Sequence, residues 1–166
     1  ISRGRGKMQR LAAVLALSVC STPLFADTPD QILERYAELA KQEDPAFAGF
    51  SAEHGHELYL QKRVLPVVGA INCASCHMAD PREEITAHRS KVLCRQCHVI
   101  NDAEHPHPKD AKLRKILPLA PSANPGRLTN FDHVESFLKP NCEMVFGRVC
   151  TAKEKGDVLS WIISVE

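Results

Sequence analysis

The feature that most restricts this 166-residue chain is a C-x-x-C-H pattern that occurs twice. The first copy runs from Cys73 to His77 and the second from Cys94 to His98, with sixteen residues between them. Two thiols at this spacing can add across the vinyl groups of a haem, and the histidine that follows is placed to ligate its iron. We therefore expect two covalently bound haems, with His77 and His98 as axial ligands. The predicted thioether attachment sites are Cys73, Cys76, Cys94 and Cys97.

The same four cysteines also match the spacing of a zinc site with four thiolate ligands. A zinc ribbon needs no histidine after its cysteine pairs, whereas both pairs in this chain have one. Zinc ribbons also occur mostly in reducing compartments, where thiolates stay free to bind metal. The compartment of the protein therefore discriminates between haem and zinc.

Residues 1–26 have the composition of an export signal. The segment begins with basic residues, continues with an apolar run from Leu11 to Val19, and ends on Ala26, a small residue at the expected cleavage edge. The apolar run is too short and too interrupted for a comfortable membrane span. An uncleaved N-terminal anchor is therefore the less favoured alternative. We predict cleavage after Ala26 and export to a bacterial periplasm, an oxidising compartment that favours haem over zinc.

Cleavage after Ala26 changes the charge and the cysteine count. Four of the 21 Lys and Arg residues are lost and none of the 20 Asp and Glu residues, so the net charge becomes about −3 with histidine neutral. An acidic chain is a poor nucleic-acid ligand and suits a protein that docks transiently on other proteins. One of the seven cysteines is also lost. Four of the remaining six lie in the haem motifs, and we predict a disulfide between the other two, Cys142 and Cys150.

The rest of the sequence predicts helices and no β structure, on the basis of apolar periodicity and capping residues. The predicted helices cover residues 29–42, 51–62, 81–93, 109–116 and 130–138, the last ending at Pro140, and a C-terminal segment that begins at Thr151. Segments 64–72 and 118–125 are broken by proline or glycine and are predicted to be irregular. The chain has only nine aromatic residues, few large side chains for a hydrophobic core. Two haems would supply the missing apolar surface. The predicted fold is therefore all-α, with residues 27–166 as one dihaem cytochrome c domain.

Short motifs spread over most of the chain carry a resemblance to a known family. In the C-terminal part they are residues 118–125, Arg127, Thr129, Val134-Glu135, Asn141-Cys142, Gly147-Arg148, Cys150-Thr151 and residues 154–157. Upstream they are Ser51-Ala52-Glu53, Gly55, Leu58-Tyr59, the first C-x-x-C-H and Asp80-Pro81-Arg82. On these residues the chain resembles the small class I-like cytochromes c called the sphaeroides haem protein family.

The resemblance implies a class I-like cytochrome c fold in which Cys73, Cys76 and His77 hold the first haem. It also implies an unusual sixth ligand, which matches Asn141. In that family the asparagine leaves the iron on reduction and opens a site for oxygen or nitric oxide. The first haem is thus expected to have labile His/Asn ligation.

Two further features follow from the resemblance. The disulfide of the family lies beside the ligand asparagine and matches Cys142 and Cys150. The family carries a single haem, so residues 84–109, which include the second motif, are interpreted as an insertion. Pro140 stands where the family usually has a basic residue, and it restricts the backbone that leads to the ligand asparagine.

Without the resemblance, the sixth ligand of the first haem has three candidates, Met144, His133 and Asn141. Met144 is what an ordinary class I cytochrome would use, and it would raise the reduction potential. Methionine also commonly fills space in a core, which is the interpretation adopted for Met144. A neutral amide oxygen is a weak iron ligand, so displacement of Asn141 by a diatomic gas is chemically reasonable.

For the second haem we predict bis-histidine ligation, with one further histidine opposite His98. The candidate residues are His54, His56, His88, His105 and His107. Seven extended residues span roughly 23 Å, so His105 can just wrap round the ring from His98, and His107 has more slack. Both precede a proline and are biased to extended conformations. We therefore expect one of them to face the iron of the second haem and the other to point away from it. The histidines of the insertion are favoured over those of the second helix.

The predicted function is that of an exported dihaem electron carrier. Its expected partners are other cytochromes or a membrane-bound, quinol-linked redox protein. A bis-histidine haem would be closed to gases and suited to passing electrons. The alternative is binding or reduction of oxygen or nitric oxide at the first haem, where the weak ligand Asn141 can be displaced.

Overall fold

The computed structural model of the chain describes residues 26–65, 69–86 and 115–166. Its helices are α1 (Pro29–Glu43), α2 (Ala52–Leu60), α3 (Ala74–His77), α4 (Phe131–Phe146) and α5 (Ala152–Ser164). Its strands are β1 (Arg63–Leu65), β2 (Gly69–Ile71), β3 (Ile85–Thr86) and β4 (Lys115–Ile116). No helix in these ranges is both long and apolar enough to cross a membrane.

Three predicted segments with capping residues, those that follow Thr28, Ser51 and Thr151, form helices, which confirms those predictions. Thr28 caps α1 through a reciprocal capping box with Gln31, and Thr151 caps α5 in the same way. Ser51 caps α2 by accepting a hydrogen bond from the backbone N–H of His54. Each cap satisfies amide groups that have no partner inside the helix, so the starting points are encoded locally.

The prediction of no β structure is wrong, although the strands are short. Residues 64–72 were expected to be an irregular connector, but β1 and β2 pair in antiparallel register, Arg63 with Ile71 and Leu65 with Gly69. Gly69 has a φ of +82°, a conformation that glycine adopts at little cost. Two or three residues per strand are too few for an alternating pattern to be visible in the sequence. The fold is therefore mostly helical rather than all-α.

The second strand pair joins distant parts of the chain. Ile85 pairs with Ile116 and Thr86 with Lys115 in antiparallel register. The backbone on either side of residues 87–114 is therefore held together at one place. Lys115 and Ile116 were expected to end a helix over 109–116, and that part of the prediction is wrong; residues 109–114 lie outside the described ranges.

The predicted helix over 81–93 does not begin where the capping signature placed it. Asp80 accepts a hydrogen bond from the backbone N–H of Arg82 at 2.9 Å, and its carbonyl accepts one from Glu83. The side chain thus makes a turn two residues on, as aspartate commonly does, and strand β3 follows. Residues 87–93 of that prediction fall outside the described parts of the chain.

Helix α4 continues through Pro140, where the sequence was expected to end it. The helix instead ends at Gly147, which has a φ of +73° and donates its N–H to the carbonyl of Glu143. An interior proline costs about 3 kcal/mol of helix stability. Burial of Val145 and Cys142 in the residues beyond it, together with a disulfide at Cys142, supplies tertiary interactions that outweigh this local cost.

Helix α5 is the central element, with a hydrophobic cluster on each side. The first cluster joins it to α1 and α4 and comprises Ile32, Tyr36, Ala40, Leu128, Val134, Ala152 and Leu159. The second joins it to α2 and comprises Leu58, Tyr59, Ala120, Val158 and Ile162, with Cys73, Ala74, Leu119, Phe146 and Trp161 packed against them. The second cluster thus includes the first residues of the first C-x-x-C-H motif.

Helices α2 and α5 approach so closely that only glycine fits at one contact. A Cβ atom at Gly55 would overlap the backbone carbonyl of Asp157. The Asp157 side chain is fully buried and accepts hydrogen bonds from the Ser51 backbone N–H at 2.8 Å and from Lys153 Nζ at 2.6 Å, and it pairs with His54 Nδ1 at 2.7 Å. This carboxylate fastens the start of α2 to α5, and α2 in turn supports the motif.

Candidate haem site

Helix α3 places the three reactive residues of the first motif in one helical turn. Cys73 stands at its N-terminus, Cys76 and His77 follow within it, and Met78 ends it with a φ of 64°. Residues three and four apart lie on the same helix face, so both sulfur atoms and the imidazole project from one side. Neither cysteine is in a disulfide and both are half-buried, so the two sulfur atoms can form thioether bonds.

A buried asparagine that sequence reasoning missed holds the start of this turn. Asn72 donates through its side-chain amide to the carbonyl of Leu60 at 2.9 Å and accepts from the backbone N–H of Ser75 at 2.9 Å. Its own N–H donates to the Ser75 hydroxyl. The end of α2 and the start of α3 are therefore connected by one side chain.

Tyr59 holds the other end of the turn. Its hydroxyl donates to the carbonyls of His77 at 3.2 Å and Met78 at 2.8 Å. The residue is 1% exposed, and burial is the main cause that raises the pKa of Tyr59 above its usual range. The hydroxyl therefore stays protonated and remains a donor to the backbone at His77.

His77 is neutral and poised as a ligand. Burial, followed by the nearby charge of Arg127, lowers the pKa of His77 to about 4, so the ring has a free lone pair at neutral pH, as metal binding requires. Its Nδ1 atom is buried and has no hydrogen-bond partner among the described residues. A histidine that ligates a metal usually donates that second nitrogen to a carbonyl or carboxylate. Here Tyr59 instead holds the backbone of His77, through the carbonyls of His77 and Met78.

The thiol of Cys73 suits a haem thioether better than a zinc site. Burial raises the pKa of Cys73 to about 11, so the sulfur is neutral at physiological pH. Zinc needs thiolate ligands, whereas a thioether is a neutral, apolar group. The residues of the first motif therefore fit haem.

Arg127 is a fixed cation beside this motif. Its guanidinium donates to the carbonyl of Pro118 at 2.9 Å and to that of Leu117 at 3.1 Å. These bonds hold the charge where it acts on His77. Motif spacing did not single out Arg127; it was noticed only as part of the resemblance.

The predicted sixth ligand lies on α4, next to the disulfide. Asn141 is half-buried, and no hydrogen bond to its side-chain amide occurs among the described residues. A disulfide joins Cys142 to Cys150, with Cα atoms 5.7 Å apart, and it connects the last turn of α4 to the start of α5. Arg63 Nη1 donates to the carbonyl of Met144 at 3.3 Å, which ties the same turn to strand β1.

The two rival candidates for that ligand are placed differently. Met144 lies three residues after Asn141 on α4 and so shares its face. His133 is exposed near the start of the helix, and its ring packs edge-on against Phe137 with centroids 5.0 Å apart. His133 therefore belongs to the outer surface of α4.

The two histidines of α2 already have partners. His54 pairs with the buried carboxylate of Asp157, and the His56 ring stacks on Trp161 with centroids 4.6 Å apart. The remaining predicted residues of the second haem lie outside the described ranges. These are Cys94, Cys97, His98, His88, His105 and His107.

Comparison with known proteins identifies the family. A family model described as a domain of unknown function, DUF1924, matches residues 45–91 and 82–162. The cytochrome c-type protein SHP of Cereibacter sphaeroides is 33% identical over 153 residues, which cover 92% of this chain and 93% of that protein. Cytochrome c'' of Methylophilus methylotrophus is 24% identical over 160 residues, 95% of either chain.

Solved structures agree in fold. The crystal structure of oxidised cytochrome c'' from Methylophilus methylotrophus has a TM-score of 0.61 at 22% identity and covers 83% of this chain and 94% of its own. The structure of oxidised SHP, described as an oxygen-binding cytochrome c, has a TM-score of 0.58 at 29% identity and covers 82% and 96%. The chain therefore belongs to the DUF1924 family and, with SHP, to the c-type cytochromes, whose cofactor is haem c.

Proposed function

We propose that this protein is an exported, periplasmic cytochrome that carries electrons through two covalently bound haems. The observation that carries the proposal is the arrangement on α3, where two cysteines outside any disulfide and a buried, neutral imidazole lie in one turn. Cys73 and Cys76 would attach the first haem and His77 would ligate its iron. Bound there, haem c supplies a one-electron Fe(III)/Fe(II) couple.

The second haem would be held by Cys94, Cys97 and His98. The repeated motif supports this, as does the pairing of β3 with β4, which brings both ends of segment 87–114 to one place. A folded domain can accept an inserted segment when the residues that flank the segment lie close together. The predicted insertion, 84–109, lies almost wholly within segment 87–114.

We propose that the sixth ligand of the second haem also comes from the insertion. His54 and His56 already pair with Asp157 and Trp161, so using either would break a contact within the body of the protein. The insertion supplies His107, His105 and His88. The resulting bis-histidine haem would pass electrons without binding gases.

The acidic mature chain supports transient docking on a redox partner. A net charge of about −3 suits short-lived, electrostatically guided complexes. The proposed partners are other cytochromes or a membrane-bound redox protein that faces the periplasm.

The haem count tests the dihaem proposal directly. Pyridine haemochrome titration and intact mass should give two haems for each wild-type chain. The Cys94→Ser, Cys97→Ser variant should retain one, and Cys73→Ser, Cys76→Ser is the matched control that should retain the other. One haem in the wild type, unchanged by the first double substitution, would contradict the dihaem proposal and leave a monohaem cytochrome.

A second candidate function is binding or reduction of oxygen or nitric oxide at the first haem. Two observations favour it: the relative SHP is described as an oxygen-binding cytochrome c, and the Asn141 side chain has no hydrogen-bond partner in the described part of the chain. Carbon monoxide added to the reduced protein separates the two functions. A changed Soret band supports a displaceable ligand, whereas an unchanged spectrum means that both irons are saturated and the protein is an electron carrier alone.

A further inference from the structure

A continuous aromatic stack runs from the surface of α2 to the backbone of the proposed iron ligand. His56 is exposed, and its ring stacks on Trp161 with centroids 4.6 Å apart and planes 22° from parallel. Trp161 in turn contacts Tyr59, again with centroids 4.6 Å apart. The Tyr59 hydroxyl donates to the carbonyls of His77 and Met78 at 3.2 and 2.8 Å. Three side chains from two helices thus connect solvent to the backbone of the first motif.

The position of each ring follows from its helix. Residues at i, i+3, i+4 and i+7 share one helix face, and on α2 every residue of one such face is exposed. Its residues are Glu53, His56, Glu57 and Leu60. Tyr59, three residues after His56, lies at the edge of that face and is buried. Trp161, the one tryptophan of the chain, packs against the same cluster as Cys73 and Ala74.

We propose that the stack of His56, Trp161 and Tyr59 is the route by which electrons reach and leave the haem held by His77; this rests on the electron-carrying function proposed above. Electron tunnelling weakens less steeply through bonds and touching groups than across gaps between side chains. Every step of this stack is a ring contact or a hydrogen bond. The exposed ring of His56 would face the cofactor of a one-electron redox protein.

The aromatic side chains act as the medium and are not themselves oxidised. A partner haem protein in its reduced form would lose one electron, which would reduce the Fe(III) of the haem that His77 would hold to Fe(II). No bond forms or breaks. Tyr59 cannot release a proton in this process, because its buried hydroxyl donates only to peptide carbonyls, which are not bases. Burial raises the pKa of Tyr59 and so also disfavours its ionisation.

Among residues 26–65, 69–86 and 115–166, the other aromatic contacts do not lead to the motif. Tyr36 and Phe131 contact each other in the first hydrophobic cluster, on the opposite side of α5. His133 and Phe137 lie on the outer surface of α4. The α4 surface therefore provides a control site that is exposed but lacks the stack.

Photo-induced electron transfer tests the route. A ruthenium tris-bipyridine complex is attached to Glu57→Cys, beside His56, or to Ser136→Cys on the exposed surface of α4, each in the Cys94→Ser, Cys97→Ser background. A light flash excites Ru(II). The excited Ru(II) would pass one electron to the first haem and become Ru(III), and absorbance follows the reduction of that haem. Trp161→Leu should slow transfer from the label at position 57 several-fold, Trp161→Phe should slow it less, and neither should alter transfer from position 136.

The outcomes separate the two proposals. If the background variant binds no covalent haem, the proposed function of the first motif is wrong. If the haem is present and is reduced at the same rate with Leu or Trp at position 161, the route is wrong and the function stands. His56→Ala gives the same test at the surface, where folding is not at risk, and it too should slow transfer from position 57.

The stack can also be tested without electron transfer. In a double-mutant cycle, the stability losses of His56→Ala and Trp161→Leu should not add, because contacting residues are coupled. The losses of His133→Ala and Trp161→Leu should add, since these residues are not in contact. Additivity in the first cycle would show that the two rings do not touch in solution, which would overturn the route.

Discussion

The two sides of helix α5 each bury a tyrosine, but they use its hydroxyl differently. On the α1 and α4 side, Tyr36 donates to Glu135 at 2.7 Å, and Glu135 also pairs with the nearly buried Lys155. On the α2 and α3 side, Tyr59 donates only to the backbone carbonyls of His77 and Met78. The first arrangement satisfies charged side chains with one another. The second fixes the backbone of a residue whose imidazole Nδ1 is buried without a partner.

This difference indicates that the α1 and α4 side of α5 contributes to stability, whereas the α2 and α3 side also supports the cofactor. A buried ion pair is costly to break, and its removal should affect folding alone. A hydrogen bond to the backbone of an iron ligand should affect both folding and the properties of the iron. Substitutions on the two sides are therefore expected to divide into those that change stability and those that also change the haem spectrum or potential.

The largest expected effect is on the spin state of the first haem. Asn141→Ala should convert that haem in the oxidised protein from low-spin to high-spin or water-bound, because the sixth ligand is lost; absorption and electron paramagnetic resonance spectra measure it. Met144→Ala, on the same face of α4, is the control and should leave the spectrum unchanged. The reverse pattern would assign the ligand to Met144.

On the opposite side of α5, Lys155→Met should strongly destabilise the fold. We expect a loss of about 3 kcal/mol of unfolding free energy, the low end for a broken buried pair, since the Glu135 side chain is one-third exposed. Lys153→Met, whose side chain is 45% exposed, should cost less than about 1 kcal/mol. Denaturant unfolding measures both. A shifted haem spectrum in Lys155→Met would contradict the division between the two sides.

Removal of the disulfide should act on both properties. The bridge spans a sequence separation of 8 residues, so Cys142→Ser, Cys150→Ser should lower stability by about 2–3 kcal/mol. It should also alter release of the adjacent Asn141 on reduction, which stopped-flow binding of carbon monoxide to the reduced protein measures. An unchanged binding rate, potential and spin state would separate the disulfide from the ligand.

The two tyrosines give a matched pair of small substitutions. Tyr59→Phe and Tyr36→Phe should each cost about 1 kcal/mol, the typical value of a lost hydrogen bond. Only Tyr59→Phe should also shift the reduction potential of the first haem, because only Tyr59 holds the backbone at His77. Unfolding and redox titrations measure the two effects. Equal shifts in potential would mean that the two sides of α5 do not differ.

The smallest expected effect is a pH dependence at the start of α5, the helix that both sides share. A hydrogen bond from Arg148 lowers the pKa of Glu154 from 4.5 to about 2. A carboxylate with a lowered pKa stabilises the fold at higher pH, and this contribution is lost as the pH falls from about 4.5 to about 2. The Arg148 side chain is 54% exposed, so the contribution should stay below about 1 kcal/mol.

Unfolding titrations across that pH range measure the contribution of Glu154. Glu154→Gln should reduce the loss of stability on acidification, and Glu53→Gln on the exposed face of α2 is the control. An identical acid response in the wild type and Glu154→Gln would contradict the assignment.

Local signals explain what could be predicted of the fold. The capping residues Thr28, Ser51 and Thr151 act within one helical turn, so the starts of three helices were readable from the sequence. The course of α4 through Pro140 was not, because it depends on the burial of Val145 and on the Cys142 disulfide rather than on helix propensity. The pairing of β1 with β2 was missed because its strands are too short to show alternation, and that of β3 with β4 also because Ile85 and Ile116 are distant in sequence.

Some features of the candidate haem site were likewise predictable from the sequence, and others depended on tertiary structure. The sequence by itself determined the haem chemistry of the first motif, because thioether attachment needs only the spacing of Cys73, Cys76 and His77. Tertiary structure alone decided which residues support that motif: Tyr59 reaches it from 18 residues away, and Trp161 reaches Tyr59 from another helix. Such contacts depend on how α2 packs against α5, a packing set by Gly55 and the buried Asp157. No local pattern in the sequence records a contact of that kind.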